Sequence, residues 1–269
     1  MTTRVRAQLL GLAMVSALLG ACGVTGPSET GFGRGDGPPE QAVDLSAIAD
    51  AVPKPEPRSR SGNPASYEVR GVTYHVMDQG NGYQERGIAS WYGSKFHGRL
   101  TSSGEPYDML SMTAAHRTLP LPSYVAVTNL ENGKRIVVKV NDRGPFLKNR
   151  LIDLSYAAAG KLGILDKGTG LVEVRYIDPG QPRSPTQTDP GRHDLYIQVG
   201  AFANHDNALN LRNRLQGTQI PRIFLFSREN EHPPLYRVRI GPLASVADVD
   251  RIGELLTNLG VSEQHVVID

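Results

Sequence analysis

Between Gly87 and Ser155 the chain sets Glu105, His116 and Asp142 among glycines, prolines and short β-prone runs. Two carboxyls and an imidazole can pass and hold protons, so the set suits general acid/base chemistry. Read singly, each also has a plain structural role. Asp142 lies in Asn141-Asp-Arg-Gly-Pro145, a turn signal directly after a strand-like run; Glu105 lies in the turn Ser103-Gly-Glu-Pro106; His116 follows Thr113-Ala-Ala. Ala89-Ser-Trp-Tyr-Gly93 holds the only Trp of the chain. Aromatic faces pack on sugar rings as readily as in a core, and the reading here gives one ring of the Trp91 and Tyr92 pair to the core and the other to a cleft.

Short strands must hold these residues. Tyr124 to Leu130, Ile136 to Val140 and Leu171 to Ile177 are rich in β-branched side chains. Asn132-Gly133 predicts a hairpin turn between the first two, because both positions tolerate positive φ. Ser155 ahead of Tyr-Ala-Ala-Ala-Gly-Lys-Leu162 predicts a capped short helix. The domain is therefore mostly strands with small helical insertions, and closing into a barrel would remove its open edges. Asp-Thr-Gly and Asp-Ser-Gly are absent, which argues against an aspartic protease. His-Glu-x-x-His is absent too and there is one Cys, which argues against a zinc hydrolase. No metal or cofactor is expected.

A length of 269 residues suits two modest domains. Arg4 and Arg6 precede an apolar run from Leu9 to Leu19, then Leu19-Gly-Ala-Cys22. Such a run is too short for a bilayer core, which needs about 20 apolar residues, so residues 1–21 read as a removable secretory signal. Without Arg4 and Arg6, 27 basic residues face 27 acidic ones. That balance lacks the basic excess of a polyanion binder, and no nucleic-acid partner is expected. Residues 22–66 are rich in Gly, Pro, Ser and charge and predict a disordered tether, with a reach of roughly 35 to 40 Å. Residues 178–191, polar and proline-rich, mark a linker.

Beyond the linker, Val199-Gly-Ala-Phe-Ala203 recurs as Ile240-Gly-Pro-Leu-Ala244. Each copy follows an alternating run and precedes a helical stripe: Ala208, Leu211 and Leu215 in one, Val249, Ile252, Leu256 and Leu259 in the other. Ile223 to Phe226 and His265 to Ile268 complete β-α-β twice, a four-stranded sheet with two helices on one face. Alternation turns Ile197, Val199, Val238 and Ile240 toward the helices and leaves Tyr196, Gln198, Arg237 and Arg239 on the open face. That face suits a sugar chain. Similar sheets stack RNA bases, a reading the export signal opposes; a merely solvated face is the plain alternative.

Leu19 to Cys22 resembles the lipobox of bacterial lipoproteins, which implies a lipidated Cys22 and a membrane anchor; Gly23 in place of the Asp of inner-membrane retention implies the outer membrane. Tyr196-Ile-Gln-Val-Gly-Ala-Phe202 and Tyr236-Arg-Val-Arg-Ile-Gly-Pro242 resemble the SPOR domain over residues 192–269. SPOR domains bind peptidoglycan strands stripped of stem peptides, which by position makes Gln198, Phe202 and Arg239 glycan contacts. The middle of the chain resembles the rare lipoprotein A (RlpA) family, through Gly87-Ile-Ala-Ser-Trp-Tyr-Gly93, Phe96-His-Gly98, Thr101, Gly104-Glu105, Asp108, Thr113-Ala-Ala-His-Arg-Thr-Leu-Pro120, Val127-Thr-Asn-Leu130, Asn141-Asp-Arg-Gly-Pro-Phe146, Arg150 and Asp153-Leu-Ser155. Ser102-Ser103, where Ala and Asn are common, and Leu121-Pro122-Ser123 depart from the family pattern.

The resemblance implies a six-stranded double-psi β-barrel over residues 67–177, followed by a βαββαβ, RNP-like SPOR domain. It implies a lytic transglycosylase that cuts the MurNAc-β-1,4-GlcNAc bond of denuded glycan without water and closes a 1,6-anhydro ring. Asp142 is then the acid/base group, Glu105 supports charge in the transition state, and His116 orients the sugar or tunes a carboxyl. Trp91, Tyr92 and Arg143 become substrate contacts. Septal proteins are the protein partners the resemblance suggests. Two rivals share these features: a glycan-binding septal scaffold without activity, and an expansin-like wall loosener.

Overall fold

The structure, a computed structural model, describes residues 36–180, 193–228 and 231–269. Cys22, the signal 1–21, the first part of the expected tether and residues 181–191 of the expected linker lie outside the described residues.

A hairpin, β1 (Ser66–Val69) and β2 (Val72–His75), leads into six strands: β3 (Gln84–Tyr92), β4 (Thr113–His116), β5 (Ser123–Asn129), β6 (Arg135–Asp142), β7 (Ile152–Ser155) and β8 (Thr169–Tyr176). They close in the order β3-β7-β4-β6-β5-β8. The β3/β7 and β4/β6 pairs are parallel and the other four antiparallel. Closure leaves no unpaired edge, and the result is the six-stranded double-psi barrel. Val125, Val127, Val138, Val140, Ile152, Leu154, Val172 and Val174 fill it. The expected helix forms as α1 (Tyr156–Leu162): the Ser155 side chain accepts from Ala158 N, and Gly163 ends the helix at φ 78°.

The expectation of a disordered tether up to residue 66 does not hold from Asp36 onward. Asp36 accepts from the backbone of Gly93 and Lys95, Asp50 from Val137 N and Lys161, and Asn63 from Leu121 N. Leu45, Ile48 and Ala51 pack on the barrel core. Composition counts what a segment can bury by itself; this one is ordered by acidic and amide side chains that satisfy backbone groups of the barrel.

The C-terminal unit runs β9 (Leu195–Phe202), α2 (His205–Leu215), β10 (Ile223–Phe226), β11 (Tyr236–Leu243), α3 (Val246–Asn258) and β12 (His265–Ile268), with strand order β10-β11-β9-β12. Ile197, Val199, Val238 and Ile240 are buried under the helices, as alternation requires. Ser245 caps α3 by accepting from Asp248 N, and Gly260, just past its end, has φ 76°. Barrel residues Ile88 and Leu130 join this unit's apolar cluster, and Arg150 makes a bidentate ion pair with Asp250 at 2.7 and 2.9 Å.

Candidate active site

A bulge sets the site. In the β4/β6 pair, Ala114 stands opposite Val140 and Ala115 opposite Asp142, so Asn141 is one residue extra. Period-two alternation buries Val138 and Val140 in the core and, uninterrupted, would bury Asp142 with them. The extra residue turns Asp142 to the outer, Ala115 face instead. There its Oδ1 accepts from Ser102 N at 2.8 Å, Ser102 Oγ at 2.6 Å and Arg143 N at 2.7 Å. Three donors converge on one oxygen, and Ser102 is among the residues that depart from the family pattern.

Glu105 comes from the same loop. Ser103 N bonds Asn141 O at 3.2 Å, which pins that loop to the bulge. Glu105 Oε1 takes Lys139 Nζ at 2.7 Å and Oε2 takes Asn141 Nδ2 at 2.9 Å. Burial pushes its proton affinity up, but the bonds from Asn141 and Lys139 and the Lys139 charge outweigh it and hold the carboxyl below its ordinary range. Glu105 is thus a fixed negative charge on one flank of Asn141, with Asp142 on the other.

His116 is not brought to this face. Its ring is 2% exposed and lies on the Ala114 side of β4. Nδ1 accepts from Thr118 N and Leu119 N at 3.3 and 3.1 Å, which leaves the proton on Nε2, 2.9 Å from Tyr83 Oη; Tyr83 in turn donates to Glu85. Held in this way, the ring presents neither nitrogen to the Asp142 face, where the expected sugar-orienting or carboxyl-tuning role would need it. Burial, then Arg117 and Arg143, push the imidazole down to about 3. The folded state keeps His116 neutral while the unfolded chain binds a proton below about pH 6.5, so its contribution is complete above that pH and is lost as pH falls toward about 3. The expected slope is up to about 1.4 kcal/mol per pH unit. Urea unfolding of wild type and His116→Gln between these limits checks it: the variant should lack that slope.

Arg143 is corrected as well. Rather than facing substrate, its guanidinium donates to Gly62 O, Leu119 O and His116 O at 2.8, 2.6 and 3.0 Å and to Asn63 Oδ1 at 3.2 Å. It ties the segment before the barrel to the end of β4 beneath the Asp142 turn. Trp91 packs on the barrel core and meets Tyr156 edge-on at 5.7 Å. Trp91 is half-buried, whereas Tyr92 is buried, stacked on Tyr107 at 4.1 Å in a cluster with Met109 and Ala115. The Tyr92 ring therefore belongs to the buried side of the pair, and Trp91 keeps part of its surface exposed. The surface aromatic is Phe96, edge-on to Tyr92 at 6.0 Å, with Lys95 and Arg99 within 6 Å of its ring. The Phe96-His-Gly98 string held that signal, but a single aromatic in a turn shows no periodicity that would mark it as exposed.

Residues 84–176 match the family described as lytic transglycolase, and residues 192–266 match the SPOR domain. Over 97% of its length the chain is 39% identical to the endolytic peptidoglycan transglycosylase RlpA of Pseudomonas aeruginosa strain UCBPP-PA14, covering 98% of that protein. The chain belongs to the RlpA family. The RlpA of Vibrio cholerae is 45% identical over 77% of each chain. A crystal structure of the RlpA SPOR domain from Pseudomonas aeruginosa aligns at 38% identity, TM-score 0.25, over 27% of this chain and 96% of that one.

The second face of this RlpA-family chain is the open side of the C-terminal sheet. Gln198 and Arg239 are paired across β9 and β11 there. Arg239, expected as a glycan contact, is 4% exposed: it donates to Asp269 at 2.7 Å and lies 4.0 Å over the Phe226 ring, with Tyr196 at 5.8 Å. It builds the face rather than reaching from it. Phe202 packs with the helix-side core. Phe224, edge-on to Tyr196 at 5.8 Å, adds to the aromatic layer, and strict alternation in Ile223-Phe-Leu-Phe226 carried that placement. Arg239→Ala is expected to cost about 1 to 3 kcal/mol through the lost ion pair and cation–π contact, read as a lower denaturation midpoint; an unchanged midpoint would show that the stack carries no energy.

Proposed function

We propose that this chain is an endolytic peptidoglycan lytic transglycosylase that cuts the MurNAc-β-1,4-GlcNAc bond and leaves 1,6-anhydroMurNAc ends. The observation that carries this reading is the bulge at Asn141, which turns one carboxylate, Asp142, out of the core and fixes it by three hydrogen bonds beside a second, Glu105, that Lys139 and Asn141 keep ionised. Asp142 handles the proton chemistry. Glu105 supplies fixed negative charge toward the oxocarbenium-like transition state.

The relatives, named endolytic peptidoglycan transglycosylases, supply the substrate class. The aromatic and arginine face of residues 192–269 supports a preference for denuded glycan, since pyranose rings stack on such surfaces and a stem peptide would not. Lipidation of Cys22 would hold the protein at the outer membrane facing the periplasm, with residues 178–191 as the linker between catalytic and glycan-binding domains. Enrichment at the division septum follows if denuded strands collect there. The test compares the protein on sacculi with and without stem peptides. Anhydro-ended fragments should come faster from denuded strands; binding without cleavage would favour the scaffold reading.

A further inference from the structure

The proposed reaction needs a proton donor as well as an acceptor, and the structure sets a third carboxyl on the Asp142 face. Ala115 is paired with Asp142 across β4/β6 and with Asp153 across β4/β7, and Asp153 is paired with Ser90 across β3/β7. Directly opposed residues share a face, so Ser90, Asp153, Ala115 and Asp142 form one row across four strands. Their flanking neighbours Ala89, Ile152, Leu154, Ala114 and Val140 point into the core. Two strand spacings put the Asp142 and Asp153 α-carbons about 9 to 10 Å apart, with Ala115 between them and the Tyr92 side chain packed in the same cluster as Ala115.

The second carboxyl also faces the turn that carries the first. A Cβ added to Gly144 would stand 3.8 Å from Asp153 Oδ2 and 3.8 Å from the Ala115 Cβ, and Gly144, at φ 137°, adopts a backbone that favours glycine. Ser90 Oγ donates to Asp153 Oδ1 at 2.5 Å. Asp153 is half-buried. It accepts one hydrogen bond, from Ser90, where Asp142 accepts three: burial pushes the Asp153 proton affinity up, Ser90 from β3 and the charges of Arg150 and Arg117 push it down, Asp142 from β6 adds to the rise, and the net direction is up. The Tyr92 hydroxyl group of β3 faces the same pair, and burial raises it far above its titrating range. Two carboxyls in unlike surroundings are the usual basis for dividing acid from base.

We propose that Asp153 is the proton donor of the reaction and Asp142 the acceptor, the two working from opposite sides of Ala115. This division rests on the transglycosylase reading above. Asp153 gives its proton to the glycosidic oxygen; the MurNAc C1–O bond breaks and its electron pair leaves with that oxygen. The C6 hydroxyl of the same MurNAc bonds to C1, and its proton passes to Asp142. No water is consumed. Asp153 ends ionised and Asp142 protonated, and exchange with solvent restores both.

The test uses the full chain in detergent with two substrates: denuded glycan strands, and a synthetic glycan whose terminal MurNAc carries a 4-nitrophenyl group. Nitrophenolate leaves without protonation, so Asp153→Asn should lose about 10²- to 10⁴-fold on strands yet stay within about tenfold of wild type on the aryl glycoside. Asp142→Asn should lose both. Equal losses on both substrates for Asp153→Asn, or none on strands, would overturn the assignment. Should Asp153→Asn fail to fold, Ser90→Ala decides. Removing a hydrogen bond that favours the ionised carboxyl should move the alkaline limb of kcat/KM to higher pH, and an unmoved limb counts against Asp153. If wild type releases no 1,6-anhydro ends from strands, the underlying reading falls and this division with it.

Discussion

Asp142→Asn is expected to cut release of 1,6-anhydro glycan by about 10³-fold with little change in stability or in binding of denuded strands. The amide oxygen can still accept from Ser102 N, Ser102 Oγ and Arg143 N, the three donors that Oδ1 now holds. What it loses is the ability to take a proton, an interaction made only on the way to the transition state, so kcat falls and KM does not. Fragment release measured by mass spectrometry over a range of strand concentrations separates the two. Full activity in the variant would remove Asp142 from the chemistry.

Arg143→Ala should be the most destabilising single change near the site, about 3 kcal/mol, because truncation removes the guanidinium that donates to the carbonyls of Gly62, His116 and Leu119. Arg143→Lys should recover little, since one ammonium cannot reach acceptors spread around a planar fork. The backbone of residue 143 also donates to Asp142, so slack in this turn should lower activity by more than the fraction unfolded explains. Urea unfolding beside turnover checks both statements. A loss under about 0.5 kcal/mol, ordinary for a surface site, would mean that the clamp is not holding the turn.

The barrel was largely legible because its strands alternate or run apolar, and Asn132-Gly133 and Ser155 marked a turn and a cap where β5 meets β6 and α1 begins. The βαββαβ unit was legible through its repeat. The site was half legible. Asp142 and the loop residue Glu105 do meet at the end of β6, but His116 is two residues after Ala114 on a strand, and period two sends it to the core side with Ala114. That parity was readable from Thr113-Ala-Ala-His116; the bulge that frees Asp142 from the same rule was not, since nothing in Val140-Asn-Asp142 announces an extra residue. The RlpA resemblance makes Arg143 a substrate contact, and alternation with the SPOR resemblance does the same for Arg239. Their acceptors come from Gly62, Leu119 and Asp269, distant in sequence, and only the fold brings them together. The segment from Asp36 was missed for the same reason: its partners are backbone groups of the barrel.

A lytic transglycosylase breaks the bond without water, and digestion of denuded glycan in ¹⁸O-enriched water separates that reaction from hydrolysis. New MurNAc ends are expected as 1,6-anhydro rings that carry no ¹⁸O. One ¹⁸O on each new reducing end would identify a hydrolase and contradict the transglycosylase reading.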